Sequence, residues 1–428
     1  MPEAVGFPIV PQLMIIVPMP MRNVNEPVPR HASVGHAFIN SNANMKLFYS
    51  SLGWVVCFLF ITGCKPEHPV AQTITQFNKK NNTIVALAYS QPILDSIILE
   101  PKSSSMVGKI SILNAHIFFV DSKLSMLYEF DRNGTYLGNH IGHGNGPDQL
   151  PIKHTEFFSP LPNGGFLFIG PSFDCFVFDG HYKRLDDYEI NWHRSSDNPG
   201  YLANPDPNTT DPYTPAYVVG KLFTDGNKVF FPLLCQHRNF NPTFTSYATS
   251  AKVMAEMDLD DGYITGIFGA LSPIYRQSKA NATLAYANIE ALPDNQMVIS
   301  YPADSSLYLA TRNFRIIKCF GKPGRAVKQN YASLTKMEDF WRIWYENTQE
   351  HGYYRDIKFV ESRELLFRSY QKNAVSPDGL QIYKNDTLIA DFDTPRGFDV
   401  SGYIPPYFYS NAFIDEDKGQ IKIYRFKL

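Results

Sequence analysis

From residue 107 onward, short apolar runs alternate with polar turns along the chain. Apolar runs recur at 117–121, 166–169, 229–231, 297–299, 365–367 and 411–415. Each is followed by a second alternating run, at 127–130, 175–178, 253–257, 307–309, 381–383 and 421–424. Alternation over so few residues is the period of a half-buried strand, not of a helix. Turn signals follow in most copies: Asp131-Arg132-Asn133-Gly134, Asp179-Gly180, Asp260-Asp261-Gly262 and Asn385-Asp386. These residues tolerate the positive φ that tight hairpins demand. Three copies then close on a similar strand ending in glycine, at 136–142, 263–269 and 315–321.

The repeating unit is strand, strand, turn, strand, with one more strand needed to fill a four-stranded sheet. Such units, six in a row, predict an all-β chain built as a six-bladed β-propeller over 84–428. A two-domain β-sandwich is the alternative. The sixth unit stops at Leu428, just after its third strand, while 84–87 and 93–99 offer spare strands. The amino-terminal segment is therefore expected to pair onto the last blade and close the ring, which removes exposed edges. One stretch breaks the β pattern. In 333–347, Leu334, Met337, Trp341 and Trp344 recur at helical spacing, and Thr335 with Glu338 resembles a capping box. A short helix inserted before blade five is expected there, with its tryptophans packed on the blade.

The amino-terminal part has a different character. Residues 1–44 carry Pro2, Pro8, Pro11, Pro18, Pro20, Pro27 and Pro29 without any strand or helix period, and offer no core. From Met45 the order changes: Lys46, an apolar stretch over 52–61, then Ile61-Thr62-Gly63-Cys64. The apolar stretch is too short for a membrane span, which needs about 20 residues. The final four residues resemble the lipobox of bacterial lipoproteins. That resemblance implies a signal peptide at 45–63, diacylation of the Cys64 thiol and a tether at 64–83. Residues 1–44 are then expected to be an extension from a start codon assigned too far upstream. The expected address is the cell envelope, as an outer-membrane lipoprotein on its periplasmic or outward side, with the membrane reached through the lipid.

Formal net charge is −2 and no basic run is present, so nucleic acid is not an expected partner. Aromatic residues make up 14%, mostly Tyr and Phe, as many short strands require. With Cys57 in the signal and Cys64 on the lipid, Cys175, Cys235 and Cys319 remain. An odd, widely spaced set is neither a disulfide framework nor a zinc pattern, and buried thiols are expected.

Residues 107–150, VGKISILNAHIFFVDSKLSMLYEFDRNGTYLGNHIGHGNGPDQL, resemble the six-bladed β-propeller lipoproteins of Bacteroidota, which are similar to NHL-repeat propellers. The most specific part runs from Asp131 to Pro147: D-x-x-G, an aliphatic strand, then I-G-x-G-x-G-P. Asp148-Gln149 stands where that family usually has Glu. The resemblance implies export, a lipid anchor and six blades, and no established reaction.

Several constellations invite a chemical reading. The glycines of 142–147 lack the following helix that a dinucleotide loop needs, because Pro147 intervenes; a tight connection between blades is expected. His140, His143 and His154 are spaced as a loose metal set, but positions three apart on a strand face opposite sides. Six-bladed lactonases hold calcium in the channel through Asp, Asn and Glu. Asp121, Asp304 and Asp415 follow strands expected to be the inner ones and are candidates for such a role, or ordinary turn residues. Three stretches read as long loops, 192–217, 236–250 and 395–410, rich in aromatics, Asn, Asp and Arg. That mixture suits sugars or peptides, since rings cover apolar faces while polar groups orient the ligand. Trp192, His193, Arg238, Phe240, Arg396 and Tyr407 are the candidate ligand-binding residues; no catalytic or metal set stands out. The leading expectation is a lipid-anchored binding or scaffold module for a glycan, a peptide or an envelope protein, without a cofactor. The alternative is a channel-centred hydrolase or lyase using calcium or another divalent ion, which requires ionisable groups converging on the channel.

Overall fold

The computed structural model describes Phe77 and residues 80–192, 203–216, 219, 221–235, 237–277 and 279–428. The expected extension 1–44, the expected signal peptide 45–63, Cys64, most of the expected tether and His193 lie outside the described residues.

The alternating runs pair into six sheets. Blade one is Gly108–Leu113, His116–Asp121, Met126–Phe130 and Tyr136–Ile141. Blade two is Phe157–Pro160, Phe166–Ile169, Asp174–Phe178 and Arg184–Glu189. In blade three a first strand split into Tyr213–Pro215 and Phe223–Asp225 precedes Lys228–Cys235, Met254–Asp258 and Ile264–Phe268. Blade four is Asn288–Leu292, Gln296–Ser300, Leu307–Thr311 and Ile316–Phe320. Blade five is Tyr353–Val360, Leu365–Gln371, Asp378–Lys384 and Thr387–Thr394. Blade six is Val400–Ile404, Tyr407–Ser410 and Gln420–Phe426, completed by Asp95–Leu99. The first strands of blades four and five, five and six, and six and one touch each other. First strands therefore stand at the axis and fourth strands at the rim: a six-bladed β-propeller.

The period-2 pattern explains the packing. Ile117 and Phe119 point to one face of blade one and join Ile404, Tyr409, Ile421 and Ile423 of blade six. Phe118 and Val120 point to the other and join Phe166, Phe168 and Phe176 of blade two. Each apolar layer thus lies between neighbouring blades, about 10 Å thick, as face-packed sheets require. Cys175, Cys235 and Cys319 are buried free thiols, as expected.

Closure occurs as expected, with one difference. Asp95–Leu99 pairs antiparallel with the third strand of blade six, Asp95 opposite Arg425 and Leu99 opposite Ile421. The earlier spare strand goes elsewhere: Ile84–Val85 pairs parallel to Thr387 and Leu388, on the rim of blade five. Farther upstream, Phe77 packs edge-on against Tyr308 and Asn81 donates to the Gly321 carbonyl at 2.9 Å, both on blade four. The segment therefore steps around the rim over blades four, five and six.

Four readings are corrected. The strong apolar strand of blade one, 117–121, is its second strand, not its innermost; the strand missing from the unit comes before it. In blade six the second strand is Tyr407–Ser410, and Phe413–Asp415 is a short extra pairing on the third. The supposed loop 395–410 is consequently mostly strand, with a hairpin at Pro405-Pro406. The inserted helix is present but later: a 3-10 turn at Met337–Asp339 leads into Phe340–Glu350, and no side chain caps either start.

Strands alternate in direction, so the turns after second strands and the connections between blades lie at one end. The helices Thr245–Ser250, Ile274–Gln277 and Phe340–Glu350 all belong to that end. Among the described residues no helix is long and apolar enough to cross a membrane.

Candidate functional site

Two features share the loop-bearing end: a cluster of charges at the axis and a helical cap over blades three to five. The axial cluster draws at least one charged side chain from every blade. Lys109 lies on the first strand of blade one, Glu156 just before that of blade two, and Lys221 inside the split strand of blade three. Glu290 and Asp356 lie on the first strands of blades four and five, and Asp399 just before that of blade six. Their charges act on one another across the axis.

The contacts are specific. Lys221 Nζ donates to Asp356 Oδ1 at 2.5 Å and to the Ile357 carbonyl at 2.8 Å, bridging two non-adjacent blades. Lys358 Nζ donates to Glu290 Oε1 at 2.8 Å. Arg355 forks: Nε donates to Asp399 at 3.0 Å, Nη1 to Asp378 Oδ2 at 2.6 Å and Nη2 to the Phe398 carbonyl at 2.6 Å. Such a planar fork fixes geometry as well as charge. Burial works against the Lys221 charge, but Asp356 and Glu290 outweigh it and hold its pKa above the usual lysine value. Burial raises the Asp399 carboxyl above the ordinary range, with Arg355 opposing it. Asp378 is almost wholly buried, and among the described residues neither its Oδ1 nor the Oγ1 of Thr394, directly opposite, has a hydrogen-bond partner.

Lys109 behaves differently. It stands at the start of the first strand of blade one. Desolvation burdens its ammonium, and the Lys221 charge adds to it; together they outweigh Asp356 and Glu156 and lower the pKa to about 8.

The helical cap presents aromatic surface. Trp341 and Tyr345, one helical turn apart, are 46% and 52% exposed, and Phe244 is 40% exposed. Trp344 turns inward, edge-on to Trp341 at 6.1 Å and tilted against Tyr353 at 6.4 Å. The expected packing therefore holds for Trp344 and not for Trp341. A cavity of about 140 Å³ opens between Phe244, Tyr247, Tyr275, Arg276, Ala282 and Ala285.

The sequence-derived residues divide. Trp192 is buried, stacked on Phe173, and its indole N–H donates to the Thr210 and Tyr213 carbonyls at 3.2 and 3.0 Å. Phe240 is buried against Tyr213 and Tyr247, and its carbonyl accepts from Cys235 Sγ. Arg238 and Arg396 are exposed at the loop-bearing end. Tyr407 follows the Pro405-Pro406 hairpin at the opposite end, under Arg425 and Lys427 at 4.6 and 4.8 Å. A full first strand, roughly 17 Å, separates it from Arg396, so these six residues do not form one site.

The histidines also separate. His140 Nε2 meets Glu129 Oε2 at 2.7 Å, His143 Nδ1 donates to the Ile152 carbonyl at 2.9 Å and His154 Nε2 meets Glu156 at 3.3 Å. Glu129 also meets His116 and accepts from Tyr182 at 3.1 Å. Burial opposes its charge, but these bonds outweigh it and hold the carboxyl below the ordinary range. The aspartates serve turns. Asp121 accepts from Ser104, Ser105, Lys123 and Leu124; Asp304 from Ser306 and Tyr308; Asp415 from Lys418. The glycine string connects blades one and two, with Gln149 Oε1 accepting from the Gly146 N–H at 2.9 Å. Among the described residues no group of three or more His, Cys, Asp or Glu converges on a metal position.

No family model matches the chain, and no curated protein matches its sequence. Solved structures do match its shape. A member of the DUF4221 family from Bacteroides vulgatus is 11% identical, with a TM-score of 0.56 over 81% of this chain and 99% of that one. A protein of Bacteroides fragilis is 12% identical, with a TM-score of 0.48 over 83% and 99%. At such identity a likeness speaks to architecture alone: this chain is a six-bladed β-propeller similar in fold to the DUF4221 member from Bacteroides vulgatus.

Proposed function

We propose that the chain is a binding module of the bacterial cell envelope, held to the outer membrane by a lipid on Cys64, that takes a glycan or peptide on its loop-bearing end. The observation that carries the binding reading is the exposed aromatic surface of Trp341, Tyr345 and Phe244 beside a cavity at that same end. Exposed rings on a rigid scaffold cover apolar ligand faces at little entropic cost, since the blades already fix their positions. The axial carboxylates Asp356, Asp399 and Glu290 are each engaged by a cationic side chain, so a divalent ion would compete against bonds already made.

A glycan and peptide array on the processed protein tests this reading. A retained ligand is expected to bind about tenfold more weakly, or worse, to Trp341→Ala, the usual cost of deleting an aromatic contact. Because Trp341 is half exposed, its loss leaves the fold standing. Affinities unchanged in Trp341→Ala, Tyr345→Ala and Phe244→Ala alike would remove the platform from the account. The anchor is tested separately: radiolabelled palmitate should enter the wild-type protein in cells and be lost in Cys64→Ser.

A further inference from the structure

We propose that the cavity of the helical cap takes the carboxyl end of a peptide, with the apolar side chain of its last residue inside and its terminal carboxylate on Arg276. This rests on the reading of the loop-bearing end as a binding surface, and it chooses the peptide from the two ligands considered there.

Three neighbouring elements wall the cavity. Tyr247 and Ala248 come from Thr245–Ser250, Tyr275 and Arg276 from Ile274–Gln277, and Ala282 from the 3-10 turn Lys279–Leu284. That turn packs on Phe340–Glu350, the helix that carries Trp341 and Tyr345, with Ala282 and Ile343 in one apolar cluster. The cavity and the exposed rings therefore adjoin.

Size and lining select what enters. The volume is about 140 Å³, close to the roughly 150 Å³ that holds one benzene ring. One aromatic or branched aliphatic side chain fills it. A sugar would bring several hydroxyls to walls that offer few partners. The Tyr275 hydroxyl is already engaged, donating to the Leu284 carbonyl at 2.6 Å and accepting from the Ala303 N–H at 3.3 Å. Hydroxyls left without partners oppose entry, whereas an apolar side chain gains by leaving water.

Arg276 supplies the charge. It lines the cavity and is exposed, so it stands at the mouth. Among the described residues no carboxylate pairs with its guanidinium and no carbonyl accepts from it. Arg312, Arg325, Arg355 and Arg425, by contrast, all hold carboxylates of this chain. A planar fork of donors matches a carboxylate. In open water such a pair holds weakly. Here the buried side chain delivers the carboxylate to the guanidinium, so the second contact forms without a second encounter. The last residue of a peptide is the one that carries an apolar side chain and a free carboxylate on the same carbon.

The test is fluorescence anisotropy on the processed protein with short peptides labelled at the amino end. They share one sequence except for the last residue, which is phenylalanine, leucine or serine, each as the free acid or the carboxamide. The phenylalanine and leucine acids should bind at least about tenfold more tightly than the serine acid, and than their own carboxamides. In Arg276→Gln, at an exposed position, acid and amide should bind alike. In Ala248→Phe, which fills the cavity and keeps Arg276, the preference for phenylalanine and leucine over serine should go. Equal binding of acid and amide by the wild-type protein would overturn the proposal, as would an acid preference that survives Arg276→Gln. No measurable binding of either apolar acid would overturn it too. Trp341→Ala separates this outcome from the aromatic platform: peptides that need Trp341 but are indifferent to their carboxyl end leave the platform standing and remove the cavity from it.

Discussion

A chain beginning at Pro101 is expected to lose its cooperative fold, whereas one beginning at Gln91 keeps it. Both lack Ile84–Val85, an edge pairing whose side chains are more than half exposed. Only the shorter chain lacks Asp95–Leu99, which fills the fourth position of blade six. Leu99 is fully buried and Ile97 nearly so, in the layer shared by blades six and one. Burying one such side chain contributes about 1.5–3 kcal/mol. With the five-residue ladder and the Asp95–Arg425 pair at 2.7 Å, the total lost is roughly 5 kcal/mol, comparable to a domain's entire margin. The cut also leaves the third strand of blade six as an open edge, which promotes association between chains. Thermal melts and size-exclusion chromatography of the two truncations decide the matter. A Pro101 chain that melts cooperatively within a few degrees of the Gln91 chain would mean that closure is not what holds the ring. Leu99→Asp in the full chain, which puts an unpaired charge in the same layer, should reproduce the loss.

The fold was readable because its strongest signal is local. Runs such as Ile117-Phe118-Phe119-Val120 bury both faces between neighbouring blades, so they stand out as unbroken apolar stretches. The innermost strands were overlooked for the opposite reason. Gly108–Leu113 and Tyr353–Val360 have an unpaired edge on the channel and carry Lys109, Arg355, Asp356 and Lys358 among their apolar residues. Charge within a strand reads as a turn when the sequence is taken alone. The split first strand of blade three carried even less signal, since each half spans three residues.

The candidate site was less legible, because exposure is a tertiary property. Trp192 and Phe240 have the composition of ligand-binding residues and the burial of core residues. Arg396 and Tyr407, close in sequence, are sent to opposite ends by the strand Val400–Ile404 between them. What could have been found is the spacing of Trp341 and Tyr345, which places both on one helix face away from Ile343 and Asn347. The pairing of Lys221 with Asp356, 135 residues apart, had no local trace at all.

Arg355→Met should be among the most damaging single substitutions in the ring, at about 3–5 kcal/mol, since it strips the cation from two carboxylates at once. Asp378 is almost wholly buried and Asp399 largely so, and among the described residues Arg355 is the cation that pairs closely with both. The pH dependence gives the diagnosis. Burial already places the Asp399 carboxyl above its unfolded value, so the native state holds the extra proton between the two values, and stability falls as pH rises through that window. Without Arg355 the folded-state value rises further and the window widens upward. The variant should therefore recover part of its loss on going from neutral to mildly acidic pH, as Asp399 takes up its proton in the fold. Arg355→Met with Asp399→Asn should be more stable at neutral pH than Arg355→Met alone, because one uncompensated charge has gone. Urea melts at both pH values measure all of this. A single variant whose loss is the same at both, and is not relieved by Asp399→Asn, would show that the guanidinium acts through packing rather than through charge.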